Sequence, residues 1–409
     1  MKVVEATLHT KVVKEIKDSR KRTEELFSTL EASHLYERPI RERHRVIFYL
    51  GHLDAFDYIQ ICREGLGARS KEPALDELFR AGIDPDADSL PSDTPQDWPT
   101  PVQVERYIYQ ARAAVDEVLD TAPEEAVSMA LEHRFMHLET LAYMWHNFDY
   151  SVKRKPVERL TANDVPHSQE NRWIEIPAGA TILGKPRDGT FGWDNEYDEH
   201  TVYVPGFRVQ QHKVTNGEYL NFVRDGGPRP HFWTERNGTL FWRGMFEETP
   251  LPLDWPVYVT EQEAIAYANW LGKTIFTEEQ YHRAAYGTQG QDRQFAWGSR
   301  EPDRVPGNFN FRRWEPESVY ASPEGESAFG VRQLCGNGWE WTRTVFAPFA
   351  GFQAAPSYPG YSANFFDGQH YVLKGASPRT ASRLLRRSFR NWFRPDYPYV
   401  YATFRCVDR

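Results

Sequence analysis

Only three cysteines, Cys62, Cys335 and Cys406, are spread over 409 residues, too few and too scattered for a disulfide framework. No uninterrupted apolar stretch approaches the roughly 20 residues that a membrane span needs. The opening segment MKVVEATLHTKVVKEIKDSRKRTEELF lacks the apolar core and small-residue cleavage site of a secretory signal. These scarcities together lead us to expect a cytoplasmic protein with no membrane partner. Basic charge is short as well: 49 Lys and Arg against 58 Asp and Glu give a net charge of -9. That balance argues against general nucleic-acid binding, while a local basic segment such as RLLRRSFRNWFR can still serve a small ligand. What the chain has in plenty is aromatic side chains, 14% of residues with 13 Trp, gathered in the second half as in a loop-rich fold held by large rings.

Two textures divide the chain. Up to about residue 155, apolar residues recur at helical spacing in VVKEIKDSRKRTEELFSTLE, in RVIFYLGHLDAFDYIQIC and at Val104, Ile108, Ala111, Val115 and Val118, which predicts an antiparallel four-helix bundle. Thr100 followed by Pro101 is a cap-and-first-position pair for the third helix, and Thr121 with Glu124 is a possible capping box for the fourth. Between the second and third helices, FRAGIDPDADSLPSDTPQDWPTP is rich in Pro, Asp and Ser and reads as a long connection. Residues 156–171 read as a linker. From 172 to 409 the pattern is short strand-like pieces, such as RWIEIPAGATILG and HTVYVPGFRVQQHKV, with one clear helix at TEQEAIAYANWLG. The fold class is α+β.

The segment LEHRFMHLETLAYMWH sets His133 and His137 one turn apart on a helix, about 5 to 6 Å between Cβ atoms. Two such residues do not make a metal site. His52, in GHLDAFDY of the second helix, reads by itself as an ordinary core histidine. In a bundle, however, two helices can converge their inward faces on one point, and His52, His133 and His137 then offer three nitrogen donors to one side of a metal. Three neutral imidazoles suit Fe(II) or Zn(II) and leave further positions open. Glu139 lies roughly 200° around the helix from His137 and cannot share that set. His44, His146, His200, His212 and His370 have no comparable spacing and read as structural, and Cys335 and Cys406 as buried and inert.

The second half carries FGWDNEYDEHTVYVPGF, VTNGEYLNFVRDGG, LCGNGWEWTRTVF, YVLKGAS and RSFRNWFRPDYPYVYATFRC. It resembles the formylglycine-generating-enzyme (sulfatase-modifying-factor) domain, a C-type-lectin-like fold, without the paired cysteines of that enzyme in SRLLRRSFRN. Preceded by a DinB-like bundle with His-x3-His-x-Glu, the pair resembles the ergothioneine-type sulfoxide synthases over nearly the whole chain. The resemblance implies that His52, His133 and His137 hold non-haem Fe(II) and that O2 is a cosubstrate. It also implies bond formation between the imidazole of hercynine (Nα-trimethylhistidine) and a thiol. In SYPGYSANFF, Tyr358 matches the catalytic tyrosine, a proton or hydrogen-atom donor, and Tyr361 its neighbour at hercynine. Asn391 and Trp392 match positions around hercynine's charged ends, where an aromatic face can hold a quaternary ammonium.

Two departures bear on the donor. Phe393 follows Trp392 where the best-known members have an Asp, and DSLPSDTPQDWPT contains no arginine where they grip γ-glutamylcysteine. The ending RNWFRPDYPYVYATFRC is closer to the related selenoneine synthases, so the expected donor is a selenosugar, with cysteine, γ-glutamylcysteine or another thiol as the alternative. Arg387, Arg390 and Arg394 are the cations that could still reach a donor carboxylate, and Phe393 could pack on a sugar ring or on hercynine's methyl groups. Two other classes stay open: a Zn-dependent DinB-like thiol transferase or hydrolase, and a lectin-like binding protein without catalysis.

Overall fold

A computed structural model describes residues 2–80, 90–156, 171–290 and 292–408, with side chains from residue 12 onward. Residues 81–89 of the long connection and 157–170 of the expected linker lie outside the described residues. The chain divides into two compact units, Met1–Pro156 and Val157–Arg409.

The first unit is helical: α1 (Lys2–Phe27), α2 (Val46–Tyr58), α3 (Pro73–Arg80), α4 (Pro101–Val118) and α5 (Glu124–His146). α1 packs on α5 and α2 on α4, as the apolar spacing requires. Helix α4 begins as expected, with Thr100 accepting from the Gln103 N–H and Gln103 reaching back to the Thr100 N–H. The start expected for α5 is not formed. Pro123 occupies the cap position, so Glu124 is the first helical residue instead of the third, and the Thr121 hydroxyl donates to the Val118 carbonyl. Two features went unforeseen: the short helix α3, and a π-helical turn, Ile59–Glu64, that prolongs α2. Arg134 of α5, fully buried, pairs with Asp54 at 2.8 Å and Asp57 at 2.5 Å on α2. Breaking such a pair from one side leaves an uncompensated buried charge, so it fixes the register of α2 against α5.

Among its described residues the second unit holds thirteen short strands: β1 (Trp173–Ile176), β2 (Gly179–Leu183), β3 (His200–Val204), β4 (Phe207–Gln210), β5 (Trp233–Arg236), β6 (Thr239–Arg243), β7 (Glu248–Pro250), β8 (Thr274–Ile275), β9 (Gly338–Val345), β10 (Tyr371–Ala376), β11 (Asn391–Phe393), β12 (Ala402–Thr403) and β13 (Cys406–Asp408). Two four-stranded sheets, ordered β1-β4-β13-β8 and β11-β10-β9-β12, form its frame. Beside the clear helix of the sequence, α7 (Glu261–Trp270), the described residues form two more α-helices, α6 (Asn216–Arg224) before it and α8 (Glu278–Tyr286) after it. The core gathers Val209, Phe276, Tyr281, Val331, Leu334 and Val407. Within the unit the Glu340 carboxylate is shared between Lys213 at 3.0 Å and Arg405 at 2.9 Å, all three fully buried. Cys335 and Cys406 are buried free thiols whose burial raises their pKa, Cys335 to about 11, so both are inert. No helix among the described residues is long and apolar enough to cross a membrane.

Candidate metal centre and aromatic platform

The three candidate histidines, two related by helical spacing and the third by the convergence of bundle helices, meet inside the first unit. His52 on α2 and His133 and His137 on α5 are at most 2% exposed, and one nitrogen of each lies within 4.8 Å of the others. The Nε2 of His137 is 3.3 Å from that of His52 and 3.1 Å from that of His133. The Nδ1 of His52 is 2.6 Å from the Phe79 carbonyl. A carbonyl only accepts, so Nδ1 carries the proton and Nε2 presents its lone pair to the cluster. Helix α3 is what brings Phe79 there. Its ring occupies the space beside Gly51, where an added Cβ would lie 2.4 Å from it, and this explains the glycine immediately before His52.

Aromatic rings wall the cluster. Phe56 stacks on His133 at 3.5 Å between centroids and Phe48 on His52 at 4.7 Å. Burial pushes His52 down to about 4 and the other two well below their usual value. All three imidazoles are therefore neutral at physiological pH, the state a metal ligand requires. Three neutral, convergent nitrogens, one already oriented through its Nδ1–H, fit a divalent transition metal. Glu139 is buried but stands outside this group.

Close by, Trp98 and His44 extend the ring system from Phe48. In the same stretch Asp93 gathers two arginines. Its carboxylate accepts from Arg38, from Arg45 at 2.8 Å and from the Trp98 indole at 2.8 Å. Arg45 also donates to the Tyr36 carbonyl, and Arg38 to that of Pro91. Both guanidiniums are thus engaged within the bundle.

In the second unit, Tyr358 and Tyr361 lie on the irregular segment between β9 and β10, and their rings are 5.7 Å apart. Tyr361 is stacked on Trp193 at 3.9 Å and meets the Trp392 ring edge-on at 5.3 Å. Trp392 in turn stacks on Phe346 at 4.2 Å and faces Phe365 at 5.5 Å. Asn391, Trp392 and Phe393 form β11, paired with β10. Alternation along a strand sends Trp392 to one face and its neighbours to the other. Phe393 accordingly stacks on Tyr397 at 5.2 Å, away from the Tyr361–Trp392 platform.

Of the three arginines, Arg387 and Arg390 have carboxylate partners. Arg390 makes a two-pronged pair with Glu278, 3.0 and 3.1 Å, with both side chains 2% exposed. Arg387 pairs with Glu199 at 2.9 Å. The platform's other rings, Trp193, Phe346 and Phe365, were not singled out from sequence. Trp193 lies in a quoted motif, GWDNEYDEH, that gave no assignment.

Comparison with known proteins places both halves. Residues 15–148 match the DinB superfamily and residues 159–409 the sulfatase-modifying factor enzyme 1-like domain. The hercynine oxygenase of Mycolicibacterium thermoresistibile is 30% identical over 89% of this chain and 88% of its own length. That of Mycobacterium tuberculosis is 32% identical over 75% and 77%. This chain belongs to the hercynine oxygenase family. The family is the one that the two motif sets resemble. Ergothioneine biosynthesis protein 1 of Neurospora crassa is also similar, 27% identical over 91% of the chain, but the chain spans only 55% of that relative's length.

Proposed function

We infer that this chain is an iron- and O2-dependent enzyme that joins a selenium or sulfur donor to the imidazole of hercynine. The observation that carries the reading is the convergence of three buried, neutral imidazoles on one point, in a chain similar to hercynine oxygenases along most of its length. Fe(II) held by His52, His133 and His137 would supply open positions for O2 and the donor. The chain's own residues do the rest. The rings of Tyr361 and Trp392 offer π faces to a trimethylammonium group, worth about 0.5 to 2 kcal/mol. Tyr358 provides the O–H that moves a proton or hydrogen atom during coupling.

For the donor, the reading is a neutral selenosugar ahead of γ-glutamylcysteine. Carboxylates entering a partly desolvated site need charge-assisted partners. Arg38 and Arg45 are tied to Asp93, Arg387 to Glu199 and Arg390 to Glu278, and Phe393 stands where an Asp would meet the donor's ammonium. A small thiol such as cysteine is the next candidate. The test is a competition assay by mass spectrometry, with iron-loaded protein, O2, saturating hercynine and equimolar selenosugar, cysteine and γ-glutamylcysteine. The C–Se product should dominate. A kcat/KM for γ-glutamylcysteine at or above that for the selenosugar overturns the donor assignment, and hercynine left unconsumed with every donor overturns the reaction.

A further inference from the structure

The segment between β9 and β10 that carries Tyr358 and Tyr361 has no sheet ladder to hold it. Its internal order is a chain of turns: the Tyr358 N–H donates to the Ala355 carbonyl at 3.1 Å, and the Tyr361 N–H to the Tyr358 carbonyl at 3.2 Å. Turns of this kind fix local shape but do not place the segment against the rest of the molecule. Pro356, Pro359 and Gly360 rule out a regular helix there.

Beside the ring contacts of Tyr361 and Phe365 with Trp392, the motif GWDNEYDEH supplies an attachment through hydrogen bonds. One oxygen of Asp194 accepts the Ala355 N–H at 3.4 Å, and the other accepts the Ser362 hydroxyl. One carboxylate therefore grips both ends of the stretch that contains the two tyrosines. Asn195 adds a bond of 2.9 Å to the same Ser362 oxygen, and Trp193 stacks under Tyr361. The grip is itself buried. Asp194 is 5% exposed and Ser362 fully buried. Two residues on, fully buried Glu196 receives the Trp193 N–H at 2.9 Å, Arg386 at 2.7 Å and Ser388 at 2.6 Å. This ties the motif to the segment preceding β11.

The geometry points to Asp194 as the positioning residue for Tyr358, a two-ended clamp that sets where the tyrosine hydroxyl stands without touching substrate. The inference rests on the proposed role of Tyr358. Misplacement of a reacting group by about 1 Å can cost up to 10²-fold in rate, so the clamp has kinetic consequences out of proportion to two hydrogen bonds.

The test uses full-length iron-loaded protein and two readouts. The first is hydrogen exchange of peptides covering residues 353–366. Asp194→Ala should accelerate exchange there and leave α5 and β9 unchanged. Ser362→Ala, which removes one end of the clamp only, should do the same more weakly and serves if Asp194→Ala does not fold. The second readout is the fraction of consumed O2 that appears as coupled product. Asp194→Ala should lower it by about 10-fold or more at unchanged iron content. Asp194→Asn can keep its oxygen on Ala355 and turn its amide to Ser362, so it should recover most of the loss. In a Tyr358→Phe background Asp194→Ala should add nothing, as expected for two residues acting through one group.

Unchanged exchange over 353–366 in both variants overturns the clamp whatever the chemistry. Wild-type coupling in Asp194→Ala, with Tyr358→Phe impaired, overturns the positioning role and leaves the tyrosine reading standing. An equal loss with and without Tyr358 also overturns it. Full coupling by Tyr358→Phe itself removes the tyrosine reading and with it the positioning role.

Discussion

The two units hold their candidate groups by different means. In the first, three donors project from two long helices into a core where they are at most 2% exposed, and stacked rings and a carbonyl from α3 leave the imidazoles little freedom. In the second, the tyrosines and Trp392 sit half-buried or at the edge of burial on an irregular segment and a three-residue strand. A ligand set must keep one geometry through every step, which rigid helices secure. Recognition of a substrate tolerates, and uses, the variability of loops. The positions at which a departure at the donor is expected, Phe393 and the α3–α4 connection, fall outside the long helices that carry the three histidines.

The comparison can be broken most severely at the metal ligands. Alanine at His52, His133 or His137 should remove most bound iron and nearly all turnover, measured by elemental analysis beside product formation, whereas no single platform residue should lower iron content. Full iron occupancy in the His52 variant would mean the triad is wrongly assigned. Next in size is Tyr358→Phe, which keeps the ring and deletes only the O–H. Coupling should fall about 10²-fold, with O2 use partly diverted to the donor, and normal product formation by this variant contradicts the role.

A smaller effect should follow from releasing the cations of the bundle. Asp93→Ala frees Arg38 and Arg45 from their shared partner, and kcat/KM for γ-glutamylcysteine should then rise by about 10-fold relative to the selenosugar, roughly one charge-assisted hydrogen bond. A ratio unmoved by the substitution would show that these arginines do not face the donor. A separate effect, on stability and not on turnover, concerns pH. Burial holds His52, His212 and His231 near 4 in the folded chain against a usual 6.5, so the unfolded chain takes up protons first. Stability of the metal-free protein should decline as pH falls from 6.5 towards 4. A thermal midpoint that rises over that interval would contradict the buried neutral state of these rings.

The legibility of each part in the sequence follows the same division. Helical spacing reveals His133 and His137 because four residues make one turn, and His52 joins them because bundle helices share an inward face. Helix α3 escaped notice because it is short and lies beside a Pro- and Asp-rich connection, and the hydrogen bond it offers His52 comes from a backbone carbonyl, which no side chain announces. In the second unit, α6, α7 and α8 each begin with a capping box, Thr215 with Glu218, Thr260 with Glu263 and Thr277 with Gln280. That signal is present in VTNGE, VTEQE and FTEEQ, yet the middle helix alone stands out in the sequence, because its residues are the most apolar of the three. The failed box at Thr121 is the converse: the residue types were right, but Pro123 set the helix start two residues late. Nothing local marks the pairing of Asp194 with Ser362, since 168 residues separate them.

Whether a three-histidine iron centre in this chain couples hercynine to a chalcogen donor at the expense of O2 is decided by the product mass spectrum. Anaerobically reconstituted Fe(II) protein and Zn(II) protein would each be given hercynine and the donor panel, with and without O2. The account predicts a hercynine adduct bearing selenium or sulfur from the iron protein, only when O2 is admitted. An equal yield of adduct from the zinc protein, or from the iron protein without O2, would contradict it.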